Sequence, residues 1–503
     1  MKSRLSRSGT RSSGLQTRTS DIDTAPEIQR PTRVRYHVLA YLCALSMITY
    51  LDRACFSSAA KTLAGELGYT GVEDLKWAFT AFAIAYSVFE IPSAWLGDAL
   101  GPRAALVRIV VWWSTFTALT ALVGWKIGTI TIGSLWMLIV IRFLFGAGEA
   151  GAYPNITRAV HNWFPLHEWN VAQGLVWMSG RLMGGLTPLI WALLVSGTEW
   201  TRPLMTWRGA FVLLGAVGLL WCIGFARTFR NRPAEHPKIS EAEVAAIEAG
   251  ALHSSADAHN LGAVPWRSFV KSRNLWLVCV MYLSINYGWI FSIVYLPPYL
   301  QERFQLAETS VANALYKGAP LWFGAAACLV GGLVVARLIR RSGNRRRIRR
   351  VVGVGCLTCC AGCWWLAVYA PGVELFCFAV AMAAFLSDLT LASAWATCQE
   401  IGGRYAAITA ACMNTIGTLG AVLNNWLTPT LVDWSVADHA RKLSLMVEQL
   451  SAEERLTAKL AGYDLAFLSY AAAYCLAAFC WTMIDSTKPI VAADDAEAQT
   501  NAH

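Results

Sequence analysis

The chain has 503 residues, 56% of them hydrophobic and 15% charged, with a mean hydropathy of +0.43. A soluble chain carries about a quarter of its residues as charges, which excludes an ordinary water-soluble globular protein. The formal net charge of +10 does not read as a nucleic-acid footprint: the basic residues gather in the N-terminal tail and in RLIRRSGNRRRIRR over 337–350, flanked by apolar runs.

Apolar runs of about 20 residues, each able to cross a hydrocarbon core of ~30 Å, recur from Tyr36 to Met483. They predict an all-α membrane protein with twelve spans in two six-helix bundles. Residues 1–35 are rich in Ser, Thr and Arg and read as a disordered cytoplasmic tail, with an organelle transit peptide as the alternative. The first bundle covers 36–229. Span 1 runs from Tyr36 to Ala60 and contains Tyr50-Leu51-Asp52-Arg53. Span 2, Trp77 to Leu100, holds Tyr86 and Glu90 and ends in a Gly/Pro turn with Asp98 and Arg103. Span 3 runs from Ala104 to Trp125. Span 4, Ile130 to Tyr153, carries Arg142 and Glu149, seven residues apart and so on one helical face, about 10 Å apart along the axis. Charges at that depth are costly unless paired or facing a polar cavity, and so mark a functional site. Span 5, Asn170 to Val195, holds Arg181, and span 6 runs from Trp207 to Phe229.

A polar segment over 230–273, with Pro233, Pro237 and Pro265, reads as a linker. The second bundle covers 274–485, with Asp388 inside span 10 (Val373 to Cys398) and Asn414 inside span 11 (Tyr405 to Val432). The segment 432–461 spaces Leu and Met as an amphipathic helix would and is expected to form one outside the membrane; 486–503 is an acidic tail. Six plus six spans put both termini on one side, and the basic loops make that side cytoplasmic. Gly101-Pro102-Arg103 after span 2 has an echo in Gly343-Asn344-Arg345 after span 8 (Val311 to Val335), the mark of a parallel duplication with its binding site near the midplane. Cys356, Cys359, Cys360 and Cys363 lie in one apolar span without His or carboxylate beside them. They read as packing residues, and neither metal nor cofactor is expected.

These landmarks carry a resemblance. Tyr50-Leu51-Asp52-Arg53, Gly97-Asp98…Gly101, Arg142…Gly148-Glu149-Ala150…Pro154…Arg158…Trp163-Phe164-Pro165, Arg232-Pro233…His236-Pro237 and Met413-Asn414…Gly417…Gly420 stand in one order along the chain. The sequence resembles a major facilitator superfamily transporter of the anion:cation symporter group, which includes bacterial uptake systems for sugar acids and vesicular and lysosomal organic-anion transporters. It departs from the superfamily's loop motif at Ala94 and Ala99, and Glu168 is followed by Trp169 rather than Arg.

The resemblance implies that Arg53 holds a substrate carboxylate, that Asp52 and Glu149 carry protons, and that Arg142 is the electrostatic partner of Glu149. Arginine suits the first task because its planar fork grips a carboxylate bidentately and stays charged. A carboxyl group withdrawn from water binds a proton more readily, and a nearby arginine opposes this, so substrate arrival can toggle it. Arg181 and Asp388 are expected to face the cavity together, with substrate bridging or displacing their interaction. Tyr50, Tyr86, Tyr287, Trp289 and Asn414 would supply polyol contacts. Glu90, Asp98 and Arg103 are expected to form a gating network. The function implied is proton-coupled symport of an organic anion, a sugar acid such as a hexuronate, aldonate or sialate, by a monomer in the cell's inner membrane. An exporter or an uncoupled facilitator or exchanger is the alternative. An enzyme is not expected, because no nucleophile–base pair or metal-ligand set is evident. The partners are the anion, protons and the lipid bilayer, with no nucleic acid.

Overall fold

The computed structural model describes residues 31–69, 75–127, 130–132, 134–197, 202–249, 264–306 and 311–491. Most of the expected N-terminal tail, the middle of the linker and 492–503 lie outside these residues. Long helices dominate, as they must where hydrocarbon offers the backbone no hydrogen-bond partner. The first bundle contains α1 (Val34–Glu66), α2 (Lys76–Leu100), α3 (Pro102–Leu119), α4 (Leu135–Glu149), α5 (Ala152–Trp163), α6 (Trp169–Trp191) and α7 (Trp207–Thr228). A short antiparallel hairpin, β1 (Trp125–Ile127) with β2 (Ile130–Ile132), precedes α4. The linker supplies α8 (Glu241–Glu248) and α9 (Trp266–Lys271). The second bundle contains α10 (Arg273–Trp289), α11 (Phe291–Val294), α12 (Leu296–Phe304), α13 (Val311–Ser342), α14 (Arg345–Val368), α15 (Val373–Gly402), α16 (Ala406–Lys442) and α17 (Ala452–Met483).

Eleven stretches are long and apolar enough to cross a membrane. The one over 373–442 is two helices, α15 and α16, turned back at Gly403–Tyr405, so the described residues make twelve crossings. Outward faces carry exposed apolar side chains such as Val140, Leu220 and Phe479, which suits a lipid surround. The bundles touch along α6 and α13, where an added Cβ at Gly174 would lie 2.5 Å from the Cys328 carbonyl and one at Gly332 2.7 Å from that of Asn170. Only glycine permits so close an approach.

Three expectations are corrected. Span 4 is not one helix from Ile130: residues 130–132 pair in the hairpin, and the helix breaks between α4 and α5 at Gly151, whose φ of +81° favours glycine. The seventh span, expected as one run from Asn274 to Leu300, is interrupted before Pro297 and Pro298, which start α12 because proline fits a helix's first turn and not its interior. The segment 432–461 forms no separate amphipathic helix. Instead α16 runs on to Lys442 and α17 begins at Ala452, where Ser451 and Glu454 form a reciprocal cap.

The linker and the described chain ends share one side. Glu243 of α8 is buried and accepts hydrogen bonds from Thr32 Oγ1 (2.6 Å) and the Val34 amide (3.2 Å) at the start of α1. The Asp485 amide donates to Asn274 at the start of α10. This is termed the linker side below.

Candidate functional site

Between the bundles lies a cavity of about 210 Å³, lined by Arg53, Tyr86, Arg181, Trp289, Asn414 and further aromatic and amide side chains. Arg53, of α1, has a side chain one-third exposed and donates from Nε to Glu149 Oε1 at 2.8 Å, while Nη2 is buried without a hydrogen-bond partner among the described residues. Its guanidinium lies 4.7 Å from the Tyr86 ring centroid. Glu149 is buried at the end of α4, next to the Gly151 break, and its Oε2 has no hydrogen-bond partner among the described residues. The pair thus holds Arg53 through Nε while part of its guanidinium side chain stays exposed to the cavity.

Arg142, expected as the electrostatic partner of Glu149, makes no ion pair with it among the described residues. The ion pair of Glu149 is with Arg53. Arg142 instead packs its guanidinium 3.9 Å from the Phe56 ring centroid and within 5 Å of those of Phe82 (4.8 Å) and Phe145 (4.7 Å), where ring quadrupoles stabilise the cation. It remains an electrostatic neighbour of Glu149 and Asp52. Asp52 is 2% exposed, both its carboxylate oxygens lack a hydrogen-bond partner among the described residues, and it faces Trp113 and Thr117 of α3. Successive helix positions point about 100° apart, so Asp52 turns away from the cavity that Arg53 enters.

Arg181 of α6 and Asp388 of α15 form a bidentate pair across the two bundles, with Nε–Oδ2 at 2.8 Å and Nη2–Oδ1 at 3.1 Å. Nη1 donates to the Tyr50 hydroxyl at 3.1 Å, and the Trp289 ring centroid lies 3.8 Å from the guanidinium. Both partners are buried, a setting where losing one would strand the other's charge.

The expected gating trio is also corrected. Glu90 accepts from Asn414 Nδ2 (2.6 Å) and Thr415 Oγ1 (2.9 Å) of α16, joining the bundles below the cavity. Asp98 accepts the amides of Ala407 (3.2 Å) and Ile408 (2.9 Å), orphan donors in the first turn of α16, and pairs with Arg158 at 3.5 Å. Arg158 in turn donates to the carbonyls of Gly403 and Arg404. Arg103 takes no part: its side chain donates to the Ala226 carbonyl and its amide to Asn231 at the linker entry. With Gln399 Nε2 bonded to the Thr157 carbonyl at 2.7 Å, hydrogen bonds between the bundles run from the linker side to mid-depth. The linker side is closed.

Tyr287 leaves the cavity to bond Ser469 at 2.7 Å. Sequence reasoning missed Tyr153, Trp177, Tyr282, Asn286 and Thr418 of the cavity wall. Tyr153 and Trp177 stack at 4.3 Å, and nothing in their spacing separates them from packing aromatics. It also missed Glu400, which meets Arg349 of the basic run at 2.9 Å.

Twelve crossings, two bundles touching through helices of each, and a charged cavity at mid-depth define a secondary transporter. The sequence profile of the Major Facilitator Superfamily matches residues 42–424, and the chain belongs to that superfamily. It is an integral membrane transporter and not an enzyme. It is 32% identical over 399 residues to a probable sulfoacetate transporter of Cupriavidus necator, covering 78% of this chain and 86% of that one. It is 27% identical over 444 residues to a probable L-galactonate transporter of Escherichia coli, covering 87% and 92%. A hexuronate transporter of Bacillus subtilis is 25% identical over 394 residues, covering 77% and 83%. Among solved structures, a proton:xylose symporter bound to 6-bromo-6-deoxy-D-glucose superposes with a TM-score of 0.62 at 16% identity, covering 92% of this chain and 98% of that one.

Proposed function

We propose that this transporter imports a small organic anion, a sugar acid such as a hexuronate, aldonate or sialate, together with protons. The observation that carries the reading is Arg53. It enters the cavity tethered to Glu149 through Nε, with one-third of its side chain still exposed there, so an incoming carboxylate can reach the guanidinium. Once the cation is shared with substrate, Glu149 is less well neutralised and more able to accept a proton. Substrate and proton occupancy are then linked through one arginine. Asp52 and Arg142 form the buried remainder of this charge set, and their titrations are coupled to that of Glu149. Asn414, Tyr86 and Trp289 offer amide, hydroxyl and ring contacts to the polyol, and Arg181 sits where a second acidic group or hydroxyl would reach it. The named relatives, transporters of L-galactonate, hexuronate and sulfoacetate, support an anionic substrate.

In this reading the protein is a monomer of the inner membrane with both termini cytoplasmic, the basic run at 337–350 fixing its orientation. The structure's closed linker side would then be the state that receives substrate from outside. Rocking of the two bundles about the cavity completes the cycle.

Uptake of labelled sugar acids into proteoliposomes tests the proposal. Accumulation driven by an inward proton gradient and abolished by a protonophore is expected. Uptake indifferent to the gradient would make the protein a facilitator or exchanger, and efflux driven by the same gradient an exporter.

A further inference from the structure

We propose that a groove on the outer face of the first bundle, between α2, α3 and α4, binds the phosphate of a net-anionic phospholipid through Arg108. The groove encloses about 120 Å³ and is lined by Phe89, Arg108, Ile109, Trp112, Ala147 and Gly148. Its α4 wall, Ala147 and Gly148, directly precedes Glu149 of the ion pair with Arg53.

Arg108 is exposed on this lipid-facing surface, six residues into α3, about 9 Å from the helix's linker-side end. A phospholipid phosphate can reach that depth. No carboxylate lies within ion-pair distance of Arg108 among the described residues, and its Nη2 donates to Ser93 Oγ at 2.7 Å. An arginine facing lipid without an acid is costly. Snorkelling would aim the side chain along α3 towards the linker side, yet the bond to Ser93 ties it across to α2 and holds it over the groove. A basic site between spans on the positively charged side of a membrane protein suits an anionic headgroup.

The walls fit the rest of a lipid. Phe89 and Trp112 are 40% and 44% exposed and present ring faces to acyl chains. Trp112 spends its indole N–H on the Leu144 carbonyl at 2.8 Å, which fixes the ring and leaves Arg108 as the cationic donor. The ring sits on Gly148, where an added Cβ would come 2.0 Å from Trp112 Cδ1, so the wall depends on the glycine that precedes Glu149. Ser93 also touches the break in α4: a Cβ on Gly151 would lie 2.6 Å from its Cβ. A lipid held by Arg108 therefore bears on the segment that positions Glu149.

The test uses the full-length protein, purified in detergent and offered equal amounts of phosphatidylglycerol and phosphatidylcholine with matched acyl chains, with retained lipid counted by native mass spectrometry. The wild type is expected to retain one phosphatidylglycerol per chain about fivefold more strongly than phosphatidylcholine, the contribution of one basic group at an anionic surface. Arg108→Gln should lose that preference and Arg108→Lys should keep most of it. Equal retention of the two lipids by the wild type, or full retention by Arg108→Gln, would overturn the proposal. Should Arg108→Gln not fold, photoactivatable phosphatidylglycerol on the wild type decides: label at Phe89, Trp112 or their neighbours supports the site, and label confined to other segments refutes it.

Discussion

Arg53–Glu149 joins two helices of one bundle, whereas Arg181–Asp388 joins one bundle to the other. Both pairs line or border the same cavity, and both hold an arginine by its Nε edge at 2.8 Å. Their surroundings differ. The Arg53 side chain is 33% exposed while that of Arg181 is 8% exposed, and Arg181 is additionally fixed by Tyr50 and Trp289. The first pair can open and close while the bundles stay still, which suits exchange of a proton for a substrate contact. The second cannot open without loosening the contact between bundles, which suits a latch.

Arg53→Ala should have the largest effect. It removes the proposed anion ligand and strands the buried carboxyl group of Glu149, a loss of about 3–5 kcal/mol for such pairs. Uptake is expected to fall at least ~100-fold, and Arg53→Lys should recover only part of it because the planar fork is gone. Near-normal uptake by Arg53→Ala would move the anion site to Arg181.

Glu149→Gln preserves the shape and can still accept from Arg53, but it cannot titrate. Accumulation driven by a proton gradient should disappear while exchange of labelled for unlabelled substrate persists within about fivefold, a cost of ~1 kcal/mol. Loss of both activities together would reduce Glu149 to a structural prop for Arg53.

The latch is probed by a double-mutant cycle in thermal unfolding. Arg181→Gln and Asp388→Asn should each destabilise by about 3 kcal/mol, because each leaves one buried charge alone. The double variant should lose less than the sum of the two, by a coupling on the order of 1–3 kcal/mol. Additive single effects would mean that the two charges are independently solvated. Arg181→Gln with full uptake and unchanged substrate preference would remove Arg181 from substrate recognition.

Asp98→Asn should give the smallest change. It weakens the pair with Arg158 and the charge at the α16 N-terminus, worth roughly 1 kcal/mol. The population open on the linker side is then expected to rise about fivefold, read as a longer distance between spin labels on the linker-side ends of α2 and α16. An unchanged distance distribution would assign the closure to Gln399–Thr157 and Glu90–Asn414 instead.

Much of this was legible in the sequence. The positions of the spans follow from apolar length, and intramembrane charges at 52, 53, 142, 149, 181 and 388 stand out because each is costly in hydrocarbon. The reading failed where one side chain had several partners within reach. Arg142 and Glu149 share a helix face, yet Arg53 approaches Glu149 from α1 and Arg142 settles among three phenyl rings. Arg103 shares the Gly/Pro turn with Asp98 and is expected in one gating network with it, but it turns to the linker entry while Arg158 arrives from α5. The extension of α16 and α17 was hidden because their ends beyond the apolar runs are polar, and polar residues at good helical spacing read equally well as a separate helix.

The sequence by itself determined the number of crossings and which ionisable groups had to find company inside the membrane, since both follow from the cost of placing backbone and charge in hydrocarbon. Only the tertiary structure decided who meets whom. Neighbours on a helix diverge by about 100°, so Asp52 and Arg53 belong to different environments although they are adjacent. The pairing of Arg181 with Asp388 depends on how closely the two bundles approach, and no local pattern encodes that distance.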